Sequence, residues 1–282
     1  MTITKADIET GVVIPVDKPL QWSSFQVVNK IKWQLRRAFG LKKLKIGHAG
    51  TLDPMASGLL LVCVGPATKR IEELQQGIKA YEATVVFGAT TPCYDLERAV
   101  DRFYPIAHID KGVVEDALAQ FCGTITQVPP MFSAVKVGGE RAYVAARGRE
   151  AVELKARQVT IEELTMRYFR AGKPVWQELS SGTVFRSIQG PEALGSLSSG
   201  ERKQSQEREL YRAPQGRVPE WLPQADLHCV CSKGTYIRSL ARDLGVAVGS
   251  GAFLSALRRT RVGSFTEDDA MLLSEIDSAI VI

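Results

Sequence analysis

The stretch "GHAGTLDPMASGLLLVCVGPATKR", Gly47 to Arg70, places one aspartate, Asp53, in a loop of small residues just ahead of a leucine-rich run. Pro54 restricts Asp53 to extended backbone geometry, and Gly47, Ala49, Gly50 and Gly58 leave the loop without bulk. His48 and Thr51 are the other polar side chains of "GHAGTLD", and no second carboxylate stands at close spacing. The paired acids of ordinary glycosidases are therefore missing. A lone aspartate can still act as a nucleophile if a cation keeps it ionised in a closed pocket. A turn hydrogen bond is the commoner use of a Gly/Asp/Pro loop. The loop alone leaves both open.

On the N-terminal side, "GVVIPVDKP" reads as a short buried strand closed by Pro19. "SSFQVVNKIKWQLRRAFG" reads as a helix capped at Ser23 or Ser24, with Val27, Val28, Ile31 and Leu35 at helical spacing and a stop at Gly40. "LKKLKIGHAGTLDPMA" reads as a loop, "GLLLVCVG" as a buried strand or short turn, and "TKRIEELQQG" as a short helix. "KAYEATVVFGATT" alternates like a strand running into a loop.

Further on, a helix capped at Asp110 ends near Gly123, and "ERAYVAARGRE" reads as a second short helix. "RQVTIEELTMRYFR" is strand-like, and "ADLHCVCSKGTYIRSLARDLGVAVG" gives a strand, a glycine turn and a helix. "GAFLSALRRTRVGSF" reads as a helix start followed by a strand. Without a regular β-α-β rhythm, the expected class is α+β: a mixed, mainly antiparallel central sheet with flanking helices. Residues 1–10 are expected to form a loose N-terminal arm and residues 11–282 one domain. A Ser/Gly/Arg/Gln-rich insertion occupies about 172–222.

The chain of 282 residues is 45% hydrophobic and 24% charged, which suits a globular protein. Its net charge of +5 fits a polyanionic partner without demanding one. Five scattered cysteines contain no CxxC pair, which points to a reducing cytoplasm rather than to disulfides. His48, His108 and His228 lack metal-pair spacing, so no metal is expected. The N-terminus lacks a secretory pattern, and no apolar run is long enough for a membrane span.

Cations concentrate in two places. Lys32, Arg36, Arg37, Lys42, Lys43 and Lys45 interleave with Trp33 and Phe39, and Arg258, Arg259 and Arg261 follow near the end. Such clusters suit phosphate contacts, with the aromatics available for stacking on unpaired bases; a solvated helix face is the plain alternative for the first. In "SKGTYIRSLARDLG", Tyr236 and Arg238 would share a face if the segment were a strand.

"GHAGTLDPMASGLLLVCVGPATK", "KAYEATVVFG" and "CSKGTYIRSLARDLG", in this order, closely resemble the TruB family of tRNA pseudouridine synthases, which modify the T-loop uridine at tRNA position 55. The resemblance extends to "VDKP", "VPPMFSAVKVGGERAYVAARG" and "LRRTRVGSF", covering about residues 11–270 apart from the insertion. It implies the pseudouridine synthase catalytic fold and assigns Asp53 as the nucleophile. It also implies Tyr81 as the stacking tyrosine associated with proton transfer, and Arg238 as the arginine paired with the catalytic aspartate. Tyr236 is implied beside it, His48 next to the flipped-out nucleotides, and Leu257 in the base pocket. Lys18 of "VDKP" and Arg258 are implied as further substrate contacts.

The implied reaction breaks the N1–C1′ bond, turns uracil in place and joins C5 to C1′, with no redox change and therefore no cofactor. Asp53 could attack sugar or base, or remove a ribose proton. The target base must be flipped from its stack. The small residues of the Asp53 loop would let an RNA backbone approach.

Three departures from the family pattern stand out. Gln21 replaces the glycine usual after "DKPx", and Phe253 replaces the histidine of a common "A-H-L". The residues after "RVGSF" are too few for the C-terminal PUA domain usual in bacterial members. The expected partner is the tRNA T-arm stem-loop, with a monomer acting and no membrane or protein partner. The insertion could replace some RNA contacts through Arg186, Arg202, Lys203, Arg208 and Arg212. Two rival classes are a tRNA-folding chaperone with catalysis secondary, and a hydrolase acting on free nucleosides.

Overall fold

The computed structural model describes residues 2–132, 136–137, 140–141, 154–172 and 218–281. Its strands are β1 (Val12–Lys18), β2 (Ile46–Ala49), β3 (Ser57–Val64), β4 (Lys79–Phe87), β5 (Ala89–Thr90), β6 (Arg102–Phe103) and β7 (Gly123–Gln127). They continue with β8 (Lys136–Val137), β9 (Glu140–Arg141), β10 (Arg157–Arg170), β11 (Gln224–Cys231), β12 (Ala252–Val262), β13 (Phe265–Thr266) and β14 (Met271–Leu272). The helices are α1 (Lys5–Thr10), α2 (Ser24–Ala38), α3 (Ile71–Gln76), α4 (Lys111–Ala119), α5 (Ile237–Ala247) and α6 (Ile276–Ala279). None of the described helices is long and apolar enough to cross a membrane.

The main sheet runs β14-β1-β3-β12-β4-β11-β10-β7, with β2 also on β3 and β13 on β12. β1/β3, β2/β3, β7/β10 and β12/β13 are antiparallel, while β1/β14 and β3/β12 are parallel. This is the expected mixed, mainly antiparallel α+β sheet. The chain divides into two compact units: Met1–Glu82 with Cys229–Gly234 and Ala256–Ile282, and Ala83–His228 with Thr235–Ser255.

In the first unit, β3 is buried at every position from Gly58 to Val64, as an apolar strand covered on both faces must be. Leu59, Leu61 and Cys63 pack with Ala49, Ala67 and Val262, and Ile71 and Leu74 of α3 close the cluster. α2 begins where Ser23 and Gln26 form a capping box, and it buries Val27, Val28, Ile31 and Leu35. In the second unit, Val86, Ala89, Val100, Leu222 and Phe253 form a core under Phe103 and Trp221.

Several expectations are corrected. The first ten residues are not a loose arm. Thr4 and Asp7 cap α1, Ile3 bridges to Ile280, and Ile3 and Ile8 are buried. β2 lies in what reads as loop, because ladder bonds to β3 outweigh its weak local pattern. "GAFLSALRRTRVGSF" holds no helix start; Ala252–Val262 is one strand, flanked in the sheet by β3 and β4. Glu140 and Arg141, expected to open a helix, form β9 paired with β8. The rest of that segment, and residues 173–217 of the insertion, lie outside the described residues.

Candidate active site

The Asp53 turn is tied down on both sides. The Ser24 hydroxyl accepts the Leu52 N–H at 2.8 Å and donates to the Leu52 carbonyl at 3.0 Å. The Gln21 N–H donates to the Pro54 carbonyl at 2.7 Å, and the Ala56 N–H to the Asp53 carbonyl at 3.1 Å. With its neighbours pinned, the half-buried Asp53 carboxyl is carried by a fixed backbone. The small residues around it serve the protein's own packing, not only a ligand. A Cβ on Gly58, at φ +95°, would lie 2.3 Å from the Arg259 carbonyl oxygen. One on Gly47 would lie 2.8 Å from Ile71 Cδ1, and one on Gly50, also at φ +95°, would lie 3.4 Å from Arg259 Nη1.

Arg259 organises this unit's interior. It is 1% exposed, and Nε donates to the Leu59 carbonyl at 2.8 Å while Nη2 donates to the Gly50 carbonyl at 3.1 Å. Its charge also acts on the Tyr81 phenol. Burial pushes Tyr81 up to about 12, with Arg259 opposing the rise, so the phenol is protonated at neutral pH.

Lys18 is fully buried and donates to the carbonyls of Pro19, at 2.9 Å, and Trp22. Burial pushes its ammonium down to about 8; the negative charge of Asp53 opposes that shift and Arg259 adds to it. His48 is lowered by burial and then by Arg259, and its Nδ1 is buried without a hydrogen-bond partner among the described residues. Asp53, Lys18, His48, Tyr81 and Arg259 thus belong to one unit, and Arg259 acts electrostatically on three of the others.

Leu257 is half-buried on the same face of β12 as Arg259, two residues away. Arg258, on the opposite face, is a different case from a free phosphate contact. Its Nη1 and Nη2 hold Asp17 at 3.1 and 2.9 Å, and its Nε holds Glu267 at 2.7 Å. Two carboxylates cover the guanidinium, so its place is that of a link between β12, β1 and the turn before β14.

Arg238 and Tyr236 belong to the second unit. Tyr236 is the N-cap of α5 and Arg238 lies in its first turn, so no strand face unites them. Two residues on a helix are rotated by ~200°. The Tyr236 N–H donates to Gln127 Oε1 at 2.8 Å and its carbonyl accepts from Gln127 Nε2 at 3.1 Å. The Arg157 guanidinium sits 5.3 Å over the Tyr236 ring. Arg238 is 3% exposed; it donates to the carbonyls of Cys93 at 3.1 Å and Phe132 at 2.8 Å, and stands 3.6 Å from Asp95.

Asp53, Lys18, Tyr81 and Arg259 share one unit, and comparison with known families says where such a chain belongs. The model of the TruB family pseudouridylate synthase N-terminal domain matches residues 36–183, just over half of the chain. That of the tRNA pseudouridylate synthase B C-terminal domain matches residues 238–282. The chain belongs to the TruB family.

A "tRNA pseudouridine synthase B" of Phocaeicola vulgatus is 43% identical over 265 residues, covering 94% of this chain and 91% of that protein. One of Flavobacterium johnsoniae is 40% identical over 279 residues, covering 99% and 100%. Among solved structures, a Cbf5-Nop10-Gar1 complex matches with a TM-score of 0.57 at 22% identity, over 97% of this chain. This chain spans about half of that one, 55%, and the likeness establishes the shared fold.

For this TruB-family chain, two departures now have structural accounts. Gln21 takes φ 66°, the left-handed region in which glycine is strain-free. Phe253 is fully buried in the second unit's core, so it cannot stand in for a surface histidine. Sequence reasoning missed Asp95 and Gln127, and it grouped Arg259 with Arg258 and Arg261 as suited to phosphate contacts, whereas Arg259 is buried on two carbonyls. Alternation says that Arg258 and Arg259 face opposite ways but not which one is buried; the Gly58↔Arg259 register decides it.

Proposed function

We propose that this protein isomerises the T-loop uridine of tRNA, position 55, to pseudouridine, acting as a monomer in the cytoplasm. The observation that carries the proposal is the Asp53 carboxyl on a pinned turn, with the buried Lys18 ammonium coupled to it and Tyr81 in the same unit. The N1–C1′ bond breaks, uracil turns, and C5 bonds to C1′. The C5 proton is lost as N1 takes one up, so atoms balance without an outside reactant.

Asp53 supplies the negative charge, either in attack or in removing a ribose proton. The buried Lys18 ammonium is the cation that faces that charge within the unit. Tyr81 is protonated at working pH, so its phenol has a proton to donate. Its ring supplies a stacking face for the detached base, and Leu257 an apolar wall. Flipping the base costs a few kcal/mol, which contacts to the RNA backbone must offset.

The test is tritium release from [5-³H]uridine in an unmodified T-stem-loop, comparing the intact protein with Asp53→Asn. Release by the first and background from the second is the expected result. Release from full tRNA alone would mean that contacts beyond the T arm are required. Binding of both RNAs without release from either would favour the tRNA-folding reading instead.

A further inference from the structure

Between Asp17 and Asp53 the chain carries eight Lys/Arg residues and not one Asp or Glu. α2 lies in the middle of this stretch, and its outer face carries an indole. Trp33 is 52% exposed, an unusual cost for a large apolar ring on a solvent face. Its helical neighbours are all polar or cationic: Lys30 at i−3 and Arg37 at i+4 lie over the ring at 5.1 and 5.3 Å. Asn29, Lys32, Trp33, Arg36, Arg37 and Leu41 line one shallow depression of about 530 Å³. Among the described residues, no carboxylate is ion-paired with Lys30, Lys32, Arg36 or Arg37. The contrast with Arg258, covered by Asp17 and Glu267, is direct.

We propose that this face of α2 is a second RNA-binding site, which stacks one unpaired base on Trp33 and holds the flanking phosphates with Lys32, Arg36 and Arg37. An indole between cations that pair with no carboxylate among the described residues matches a planar base between two phosphates. Base stacking on an aromatic ring is stronger than an exposed cation–π contact. An arriving base therefore displaces Lys30 or Arg37 from the ring, and the displaced cation gains a phosphate. Arg36 is already oriented, because its Nε donates to the Leu41 carbonyl at 3.0 Å and leaves the outer nitrogens for the ligand. The inference rests on the reading of tRNA as substrate and adds a site outside the Asp53 loop.

The test uses the full-length protein and two probes: unmodified tRNA and a labelled hexa-adenylate that cannot be isomerised. Trp33→Ala is expected to weaken binding of both roughly tenfold, while Trp33→Phe keeps most of it. The tRNA-induced quenching of indole fluorescence should shrink in Trp33→Phe. Arg36→Gln with Arg37→Gln should lower the slope of log affinity against log salt by about 1.4, two single-strand phosphates' worth. Unchanged affinity in Trp33→Ala overturns the proposal. So does a changed salt slope with no Trp33 effect, which would make the patch a diffuse electrostatic surface. Binding of an acidic peptide in preference to both RNAs also overturns it, in favour of a protein partner. If hexa-adenylate binding depends on Trp33 but tRNA is not isomerised, the substrate reading fails and the α2 site stands.

Discussion

The Gln21 N–H donates to the Pro54 carbonyl at 2.7 Å, which ties the turn after β1 to the residue that follows Asp53. Gln21 makes this bond at φ 66°, where a side chain is strained. Left-handed backbone costs a non-glycine residue about 1–2 kcal/mol, part of which glycine returns as chain entropy. Gln21→Gly is therefore expected to raise stability by about 0.5–1 kcal/mol and leave the Pro54 bond in place. Thermal unfolding checks it; a lowered midpoint would show that the Gln21 side chain contributes more than its strain costs.

Gly58→Ala has the opposite expectation. A methyl at 2.3 Å from the Arg259 oxygen and 2.9 Å from its nitrogen must push β3 and β12 apart, at a φ that already disfavours alanine. The expected loss is about 3 kcal/mol or more, with activity falling as Arg259 shifts. Urea unfolding with an activity assay on the folded fraction separates the two effects, and a stable, active Gly58→Ala would refute the packing argument.

Phe253→His restores the residue common at this point in the family, yet it should harm the protein. An imidazole among Val86, Ala89, Val100 and Leu222 has no polar partner in that cluster. The expected cost is about 2–4 kcal/mol, growing as pH falls below the ordinary histidine range because the buried ring resists protonation. Tighter tRNA binding with unchanged stability would contradict the core assignment.

Lys18 provides a pH test. Its folded value is about 8, below the ordinary 10.5, so the folded state gives up the proton first. Below pH 8 the buried charge costs stability. Between pH 8 and about 10.5 the unfolded chain binds more protons, and stability rises with pH. Lys79, also pushed down to about 8 by burial, adds a slope of the same sign. The readout is therefore the difference between wild type and Lys18→Met, which should grow in wild type's favour across that window. Turnover should fall there, as the cation beside Asp53 is lost. A pH-independent difference would place Lys18's charge outside the folded-state balance.

Asp95→Asn addresses how Arg238 is held. The pair stands at 3.6 Å with side chains 3% and 5% exposed, while the Cys93 and Phe132 carbonyls keep two guanidinium donors satisfied. Removing the carboxylate leaves a buried cation with less compensation and is expected to cost about 3 kcal/mol. A midpoint in urea unchanged from wild type would show that Arg238 is held without the Asp95 charge.

Much of this was legible in the chain. Val27, Val28, Ile31 and Leu35 recur at helical spacing, and α2 buries those positions. The unbroken apolar run Leu59–Val64 could only be a covered strand or a buried turn, and it is β3. Where local pattern and structure parted, a long-range partner was responsible. β2 is four residues of weak propensity made a strand by β3, and Tyr236–Arg238 became a helix start under the clamp of Gln127, more than a hundred residues away.

The sequence by itself determined the family, the α+β class and Asp53's place in a loop of small residues, because motif order and short-range periodicity are properties of neighbouring residues. Only the tertiary structure decided which of two adjacent arginines is buried and what the glycines are for. Arg258 and Arg259 are identical in local chemistry. One meets Asp17 and Glu267 at a half-exposed edge, the other meets two backbone carbonyls inside. A charge goes inside only where distant segments supply enough acceptors to replace water, and that supply is set by the packing of strands far apart in the chain.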